Sequence, residues 1–199
     1  FGFMDSKELA RFLGDDARRI DKLAQRGSIP CQKVNGVFRF NRAEITEWLQ
    51  QQFGCLAHGA LKVMDDGMSS HRNVESQLIV SPMLRKSGIE LSLPARTKRS
   101  VLKELVKVAE RTELLYDPDT LEEELVMRED ISSTALEEGF AIPHPRRPQQ
   151  YIVAEPILVF GRTLSSIAFG AADGGMSDLF FMICSNDDQH HLHILARLC

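Results

Sequence analysis

The sequence has no paired cysteines and no long hydrophobic run. Its four cysteines are scattered and form no CxxC pair: Cys31, Cys55, Cys184 and Cys199. No window approaches the ~18 apolar residues of a membrane-spanning helix, and the N-terminal residues do not match a signal peptide. From these absences we expect a cytoplasmic protein with reduced thiols that does not insert into a membrane.

A strong charge of one sign is also missing, but the charge is unevenly distributed. Residues 1–50 carry nine Lys and Arg against seven Asp and Glu, a balance of +2. Because the formal net charge is −4, the remainder carries −6. A slightly basic module joined to a larger acidic one indicates two domains with different partners. The chain starts at Phe1 and stops at Cys199 inside a helical pattern, so we expect both ends to be those of a fragment.

Residues 1–50 contain signals for two short helices, a hairpin and a third helix. A capping box predicts a first helix that ends at Gly14, and Asp15 or Asp16 is expected to cap the second helix. An Asn-Gly pair at residues 35–36 lies between alternating apolar residues and predicts a two-stranded hairpin. A further cap-like start at residues 41–44 begins the third helix.

This order resembles the excisionase-like or MerR-like winged helix-turn-helix family over residues 4–50. The resemblance is carried by Leu9-Ala10, Leu13-Gly14, the turn at residues 26–30 and Trp48-Leu49. It implies that the second helix enters the major groove of DNA and that the hairpin touches the backbone. Arginine can read guanine edges and lysine neutralises phosphates. The side chains expected to bind DNA are Arg18, Arg19, Lys22, Gln25, Arg26, Lys33 and Arg39.

The alternative is a protein-contact module of the same fold, in which these charges only solvate a helix face. Asp15, Asp16 and Asp21 lie among the cations, and a balance of +2 is small for a nucleic-acid-binding domain. If DNA is bound, one such small module implies a homodimer on paired half-sites.

Residues 51–86 show no steady hydrophobic period and predict an interdomain connector with one helix near residues 57–64. The remainder, residues 87–199, alternates strand-like runs with helical stripes and predicts an α/β domain, a mixed sheet with flanking helices. The helices are expected at residues 101–109, at residues 118–128 after an Asp-Pro cap, and after Asp187 or Asp188. The strand-like runs are residues 89–93, 151–153, 157–160, 167–169 and 179–184.

One stretch within this domain delivers a histidine at the end of an apolar run. It reads Gly139-Phe140-Ala141-Ile142-Pro143-His144-Pro145. Pro145 favours an extended backbone at His144, and Pro143 has a fixed φ, so the imidazole is held stiffly. A neutral imidazole is a nucleophile at physiological pH, which makes His144 a candidate phosphoryl acceptor. The simpler alternative is a histidine in a Pro-rich turn after an edge strand.

Residues 89–199 resemble the fructose/mannitol-type enzyme IIA of the phosphoenolpyruvate-dependent phosphotransferase system, which includes nitrogen-regulatory IIA proteins. The landmarks occur in the family's order: Leu121, Leu125, Arg128-Glu129, Ser133-Thr134, residues 139–144, Asp178-Leu179 and His191-Leu192. The resemblance implies that His144 is phosphorylated, that Arg128 and His191 are its active-site partners, and that Ser133 and Thr134 form the loop before the strand.

The implied donor is the phosphohistidine of the carrier protein HPr. HPr is itself phosphorylated by enzyme I, which takes the phosphoryl group from phosphoenolpyruvate. No cofactor or metal is expected, because this transfer needs alignment and charge balance rather than proton chemistry. Arg128 offers a planar fork, and His191 lies in the first turn of a capped helix, where the dipole favours an anion. Alternatively, Arg128 only complements its helix dipole and His191 is a core histidine. Zinc ligation by His190, His191 and His193 together is excluded, because successive helical positions point about 100° apart.

Two features depart from the family. The residue after the histidine is usually small, whereas here Pro145 is followed by Arg146-Arg147-Pro148. The family also continues past the position of Cys199, so we expect the IIA-like domain to be C-terminally incomplete.

Together these patterns predict a phosphorylation-responsive regulator, most simply of transcription through its helix-turn-helix domain. Its predicted domains are residues 1–50, the connector at residues 51–86, and the IIA-like domain at residues 87–199. Two alternatives remain. One is a sugar-transport phosphocarrier that passes phosphate to a separate membrane permease, and the other is an interaction protein without phosphotransfer.

Overall fold

The computed structural model describes residues 2–52 and 80–198. The described residues fall into two units, one with residues 2–52 and 195–198 and one with residues 80–194. The predicted helix near residues 57–64 lies outside the described residues, as does most of the connector, and the domain boundaries at residues 50 and 87 stay predictions. Within the described ranges, every helix is too short or too polar to cross a bilayer.

The N-terminal unit combines a three-stranded sheet with three helices. The antiparallel sheet has the order β1-β3-β2. Its elements are β1 (Phe3–Met4), α1 (Ser6–Leu13), α2 (Ala17–Gln25), β2 (Gln32–Val34), β3 (Val37–Asn41) and α3 (Arg42–Gln52). Its core contains Leu9, Ile20, Phe40, Ile45 and Leu49, all at most 2% exposed.

The predicted caps and turn of this unit are confirmed. The Asp5 carboxylate accepts the N–H groups of Lys7 and Glu8, and the Glu8 carboxylate accepts the Asp5 N–H, which completes the capping box of α1. Asp16 rather than Asp15 caps α2. The hairpin turn has positive φ at Asn35 and Gly36, 51° and 83°, as an Asn-Gly turn of type I′ requires.

The larger unit is a mixed α/β structure, which confirms the predicted fold class. Its four-stranded sheet has the order β4-β6-β7-β5, in which β4 is parallel to β6, β5 is parallel to β7, and β6 is antiparallel to β7. The elements are β4 (Leu84–Leu93), α4 (Lys98–Glu110), α5 (Pro118–Ile131), β5 (Phe140–Ala141), β6 (Ile157–Ile167), β7 (Ser177–Cys184) and α6 (Asp188–Leu198).

The main core lies between one face of this sheet and the apolar stripes of α4 and α5. Leu105 of α4 and Leu121 of α5 are fully buried against Val159 and Phe180 of the sheet. Gly161 of β6 allows this close packing, because a Cβ atom at this position would lie 2.8 Å from Leu105 Cδ2 and force that side chain to shift. The helices are therefore packed directly on the strands that lead to the candidate site.

Several predicted element bounds were wrong. The strand expected at residues 89–93 begins at Leu84. The run at residues 157–160 begins strand β6, which continues to Ile167, so the run expected at residues 167–169 forms no strand of its own. The run at residues 151–153 forms only an isolated bridge, between Leu115 and Val153. Helix α5 continues past residue 128 to Ile131. These bounds depend on pairing with distant segments, which apolar runs do not specify.

Candidate functional site

His144 lies just beyond the short strand β5. Gly139 begins the approach with a φ of +88°, a conformation that disfavours any residue with a side chain. Strand β5 then pairs with β7, and the Pro143 carbonyl accepts the N–H of Ile183 at 3.0 Å. The backbone is therefore anchored up to the residue that precedes His144.

The His144 ring is held in one tautomer. Its Nδ1 atom lies 2.7 Å from the Ile142 carbonyl oxygen. Because a carbonyl oxygen only accepts, Nδ1 carries the hydrogen, and in the neutral ring Nε2 is left with a bare lone pair. Nε2 is buried and has no hydrogen-bond partner. The side chain as a whole is 4% exposed, so it is more enclosed than a stiffly presented surface histidine.

His191 lies against His144 and is fully buried. The two ring centroids are 5.3 Å apart, with an interplanar angle of 61°. Both ring nitrogens of His191 are buried without a hydrogen-bond partner. His144 Nε2 and both nitrogens of His191 are therefore not committed to another protein group and are available to a third group.

The N-terminus of α6 is capped by one of the two aspartates that the sequence offered. Asp187 rather than Asp188 caps the helix: its Oδ1 accepts the N–H of His190 at 2.8 Å, and its carbonyl accepts the N–H of His191 at 3.1 Å. The second carboxylate oxygen pairs with His190 Nδ1. The backbone N–H of His191 is therefore not free for an anion, and any support from this residue must come from its ring.

Arg128 brings the positive charge of the site. It lies in the last turn of α5, is 5% exposed, and donates from Nη1 to the Ser132 carbonyl at 2.8 Å. Its guanidinium is close enough to depress the pKa of both histidines. The structure therefore brings together the three predicted residues His144, His191 and Arg128.

Both histidines are neutral at physiological pH. Burial, followed by the charges of His191 and Arg128, holds the pKa of His144 well below its usual 6.5. Burial and Arg128 lower the pKa of His191 to about 4. A neutral imidazole with an unprotonated nitrogen is a nucleophile. A neighbouring guanidinium stabilises an anionic group that becomes bonded to that nitrogen.

The predicted loop residues Ser133 and Thr134 bond within the protein. The Ser133 hydroxyl donates to the Phe169 carbonyl at 2.9 Å. Thr134 donates its N–H and its hydroxyl to the two carboxylate oxygens of Glu129, at 2.9 and 2.6 Å. A role for either hydroxyl in holding phosphate stays a prediction.

Sequence reasoning missed two residues next to this loop. Glu129 was noted only as a family landmark, and Lys98, whose Nζ lies 3.0 Å from Glu129 Oε1, was not noted. The N-cap Thr97 marks the start of α4, but nothing in the sequence pairs residue 98 with residue 129. Within residues 2–52 and 80–198 there is no group of three His, Cys, Asp or Glu side chains that could hold a metal ion.

The residues predicted to bind DNA are all exposed: Arg18, Arg19, Lys22, Gln25, Arg26, Lys33 and Arg39. On α2, Arg18, Lys22 and Gln25 are spaced so that they share one face, opposite the buried Ile20 and Ala24. The acidic residues among them are engaged within the protein. Asp16 caps α2, Asp15 pairs with Arg19 at 3.6 Å, and Asp21 accepts a hydrogen bond from Ser6.

The two hairpin cations lie on opposite faces. Lys33 pairs with Phe38 and Arg39 pairs with Gln32 in the register of β2 and β3. Paired residues point to the same side of a hairpin and successive residues of a strand to opposite sides, so Lys33 and Arg39 lie on opposite sides. The two cations therefore cannot contact the same DNA surface together.

Two family models match the chain. Residues 82–199, more than half of the chain, match the model described as "Phosphoenolpyruvate-dependent sugar phosphotransferase system, EIIA 2". Residues 3–52 match a helix-turn-helix domain. The matches confirm the two family resemblances inferred from the residues.

Similar proteins include transport components and regulators. The fructose-specific EIIABC component of Bacillus subtilis is 32% identical over 60% of this chain, which spans only 19% of that protein. A nitrogen regulatory protein of Pseudomonas aeruginosa is 29% identical over 54% of this chain and 70% of its own length. The solved structure of nitrogen regulatory protein IIA-Ntr from Neisseria meningitidis has 30% identity and a TM-score of 0.53, and covers 59% of this chain and 79% of that one.

Proposed function

The chain belongs to the EIIA type 2 family of the phosphoenolpyruvate-dependent sugar phosphotransferase system, and from this membership we propose that His144 accepts a phosphoryl group. The donor is the phosphohistidine of an HPr-type carrier, charged from phosphoenolpyruvate through enzyme I, and no cofactor takes part. The observation that carries the proposal is the bare, unpartnered Nε2 of a neutral His144 beside Arg128 and His191.

The transfer requires no proton to leave His144. The Nε2 lone pair forms the new N–P bond while the P–N bond of the donor breaks and its electron pair returns to the donor nitrogen. Nδ1 keeps its hydrogen, which stays bonded to the Ile142 carbonyl. Such a loose transition state depends on in-line alignment and on balancing charge on the three equatorial oxygens.

Arg128 and His191 have different parts in this step. The Arg128 guanidinium is permanently charged and can donate hydrogen bonds to two phosphoryl oxygens in a planar fork. His191 begins neutral and carries one N–H that can donate to a phosphoryl oxygen, and a phosphoryl anion beside it also favours the protonated ring, in which both nitrogens donate. Arg128 therefore stabilises the transferring group, and His191 stabilises the product.

The 4% exposure of His144 sets a condition on the transfer. The phosphorus atom of another protein has to come within about 3.5 Å of Nε2 along the line of the breaking bond. The segment that follows His144 starts with the buried Pro145. We propose that this segment is displaced when the donor docks, and that docking and uncovering are one step.

The test is phosphorylation of the purified protein with enzyme I, HPr and phosphoenolpyruvate. We expect one acid-labile phosphate per chain on the wild type and none on His144→Ala. The matched control is His190→Ala, which removes a partly exposed histidine from the same helix as His191. Label that survives His144→Ala, or no label on the wild type, would overturn the assignment.

We further propose that phosphorylation reports nutrient status to a regulatory helix-turn-helix domain that binds DNA as a homodimer. The match of residues 3–52 and the nitrogen regulatory relatives support a regulator. The exposed Arg18, Lys22 and Gln25 on one face of α2 support DNA as the partner. In a gel-shift assay on the protein's own upstream region, the double variant Arg18→Ala with Lys22→Ala should bind more weakly. The slope of log K against the logarithm of the salt concentration should become shallower by about 2, as expected for the loss of two phosphate contacts.

The control for that assay is Lys107→Ala, which removes an exposed lysine from the larger unit. Equal binding by the control and the α2 variant, or no binding by the wild type, favours the protein-contact alternative. Chemical crosslinking of the bound species tests the homodimer.

A second candidate is a transport phosphocarrier that passes phosphate to a separate membrane permease. The fructose-specific relative supports it, since in that protein the matched region is about a fifth of the whole. Phosphate that moves from the labelled protein to membranes containing such a permease would favour this function over the regulatory one.

A further inference from the structure

Glu129 is a buried carboxylate with three donors around it. Its side chain is 2% exposed, and it accepts hydrogen bonds from the Thr134 N–H at 2.9 Å, the Thr134 hydroxyl at 2.6 Å and Lys98 Nζ at 3.0 Å. Burial of a lone charge is costly, but a charge with this set of partners is held firmly in one place. The carboxylate therefore fixes the position of the Thr134 backbone.

Lys98 is placed for this contact by its surroundings. Its Nζ lies 5.0 Å from the centre of the Phe169 ring, within the range of a cation–π interaction. Gly170, with a φ of +106°, allows close approach, because a Cβ there would lie 3.1 Å from Ser133 and 3.4 Å from Lys98 Nζ. The lysine is thus held on both sides rather than extended into solvent.

A continuous series of hydrogen bonds runs from this ion pair to His144. The Thr134 N–H donates to Glu129, and the Thr134 carbonyl accepts the Ile142 N–H at 3.0 Å. The Ile142 carbonyl in turn accepts from His144 Nδ1 at 2.7 Å. The carbonyl that selects the tautomer of His144 is therefore positioned by the loop that Glu129 holds.

We infer that Lys98 and Glu129 are positioning residues for His144: through Thr134 and Ile142 they keep the hydrogen on Nδ1 and leave Nε2 bare. The inference rests on the proposed function for its consequence, which is the rate of phosphoryl transfer. The tautomer itself is independent of that function. A neutral imidazole can carry its hydrogen on either nitrogen, and only one of the two forms has a nucleophilic Nε2.

A purely structural role for Glu129 predicts something different. Loss of the ion pair would then lower the stability of the fold but leave the His144 tautomer unchanged. The two roles are distinguished by measuring stability, tautomer and transfer rate on the same variants.

The test uses the full chain with 15N-labelled histidine. The variants are Glu129→Gln, which keeps the shape but places an amide N–H₂ against a donor, and Lys98→Met, which leaves the carboxylate without its cation. The control is Lys107→Met, a substitution in the same helix as Lys98. It removes the ion pair between Lys107 Nζ and Glu104 Oε1, which are 2.6 Å apart, and leaves the Lys98–Glu129 pair in place. Lys98→Arg tests rescue, since it retains the charge.

In the wild type we expect the His144 nitrogens to show a protonated Nδ1 and a bare Nε2, with the signals assigned by their loss in His144→Gln. Glu129→Gln and Lys98→Met should move signal toward the Nε2–H form and slow phosphorylation by HPr roughly 10- to 100-fold. Lys107→Met should change neither, and Lys98→Arg should restore most of both. Because the Lys98 side chain is 35% exposed, Lys98→Met carries the test if Glu129→Gln does not fold.

An unchanged tautomer in Lys98→Met and in folded Glu129→Gln would overturn the inference, whatever their stability. A shifted tautomer with a wild-type transfer rate would also overturn it. If the wild type itself takes no phosphate, the proposed function fails, while the tautomer measurement still decides whether the ion pair positions His144.

Discussion

The buried His191 gives a quantitative prediction for stability against pH. Its pKa is about 4 in the folded chain and 6.5 when unperturbed, with burial as the main cause. Above pH 6.5 the ring is neutral in both states and adds no pH dependence. Between pH 6.5 and 4 the unfolded chain binds a proton that the folded chain does not, so the free energy of unfolding falls as the pH falls.

The size of the effect follows from the difference in pKa. One pKa unit corresponds to about 1.4 kcal/mol, so His191 lowers the free energy of unfolding by about 2 kcal/mol between pH 6.5 and 5, and by about 3 kcal/mol at pH 4. His144 acts in the same direction, because its pKa is also lowered. Removal of His191 relieves one cause of that shift, so the measured difference should be at least this large.

The assay is urea denaturation followed by circular dichroism at pH 7.5, 6 and 5. The wild type should lose about 2 kcal/mol more than His191→Leu over this range, since leucine fills the buried site without titrating. His190→Gln is the matched control, because it removes a partly exposed histidine from the same helix. If the wild type and His191→Leu fall in parallel, His191 is not a buried neutral ring and the electrostatic account of the site is wrong.

Four further substitutions test the site and the local structure. Arg128→Lys keeps the charge but loses the fork, so phosphorylation of His144 by HPr should slow by about a hundredfold, and a wild-type rate would refute its role. Pro145→Ala increases the conformational entropy of the displaced segment, which lowers the free energy of its displacement by about 0.4–1 kcal/mol. The same assay should therefore show a roughly two- to fivefold faster rate, and a slower rate would contradict the proposed displacement. Asp5→Ala removes the cap of α1 and should lower the free energy of unfolding of the N-terminal unit by about 1 kcal/mol, measured by Trp48 fluorescence in urea. Gly36→Ala places a side chain at a φ of +83° and should cost about 1–2 kcal/mol in that measurement.

The local features of the fold could be predicted because their signals act over a few residues. A carboxylate at Asp5 reaches N–H groups two and three positions away, and the Asn-Gly pair at residues 35–36 adopts positive φ without help from the rest of the chain. Strand bounds could not be predicted in this way. Strand β5 has only two residues, and its neighbour is β7, about forty positions later.

The candidate site also has features that the sequence indicated and features that only the fold shows. The motif order identified His144, Arg128 and His191 as one group, and the structure brings them together. Nothing in the motif indicates that His144 is 4% exposed, because exposure depends on what the folded chain places around it. The role assigned to Lys98 was missed for the same reason, since residues 98 and 129 meet only when α4 packs beside α5.

By itself the sequence determined the caps, the hairpin turn, the family of the larger domain and the chemical identity of the three site residues. These depend on side-chain chemistry and on backbone preferences within a few positions. Only the tertiary structure decided the tautomer of His144, the neutral state of both imidazoles and the ion pair behind them. The neutral state of both imidazoles arises from burial, and the ion pair joins residues 98 and 129, which are far apart in the chain. The tautomer depends on the Ile142 carbonyl, which is only two residues from His144 but belongs to a backbone segment that pairs with Thr134.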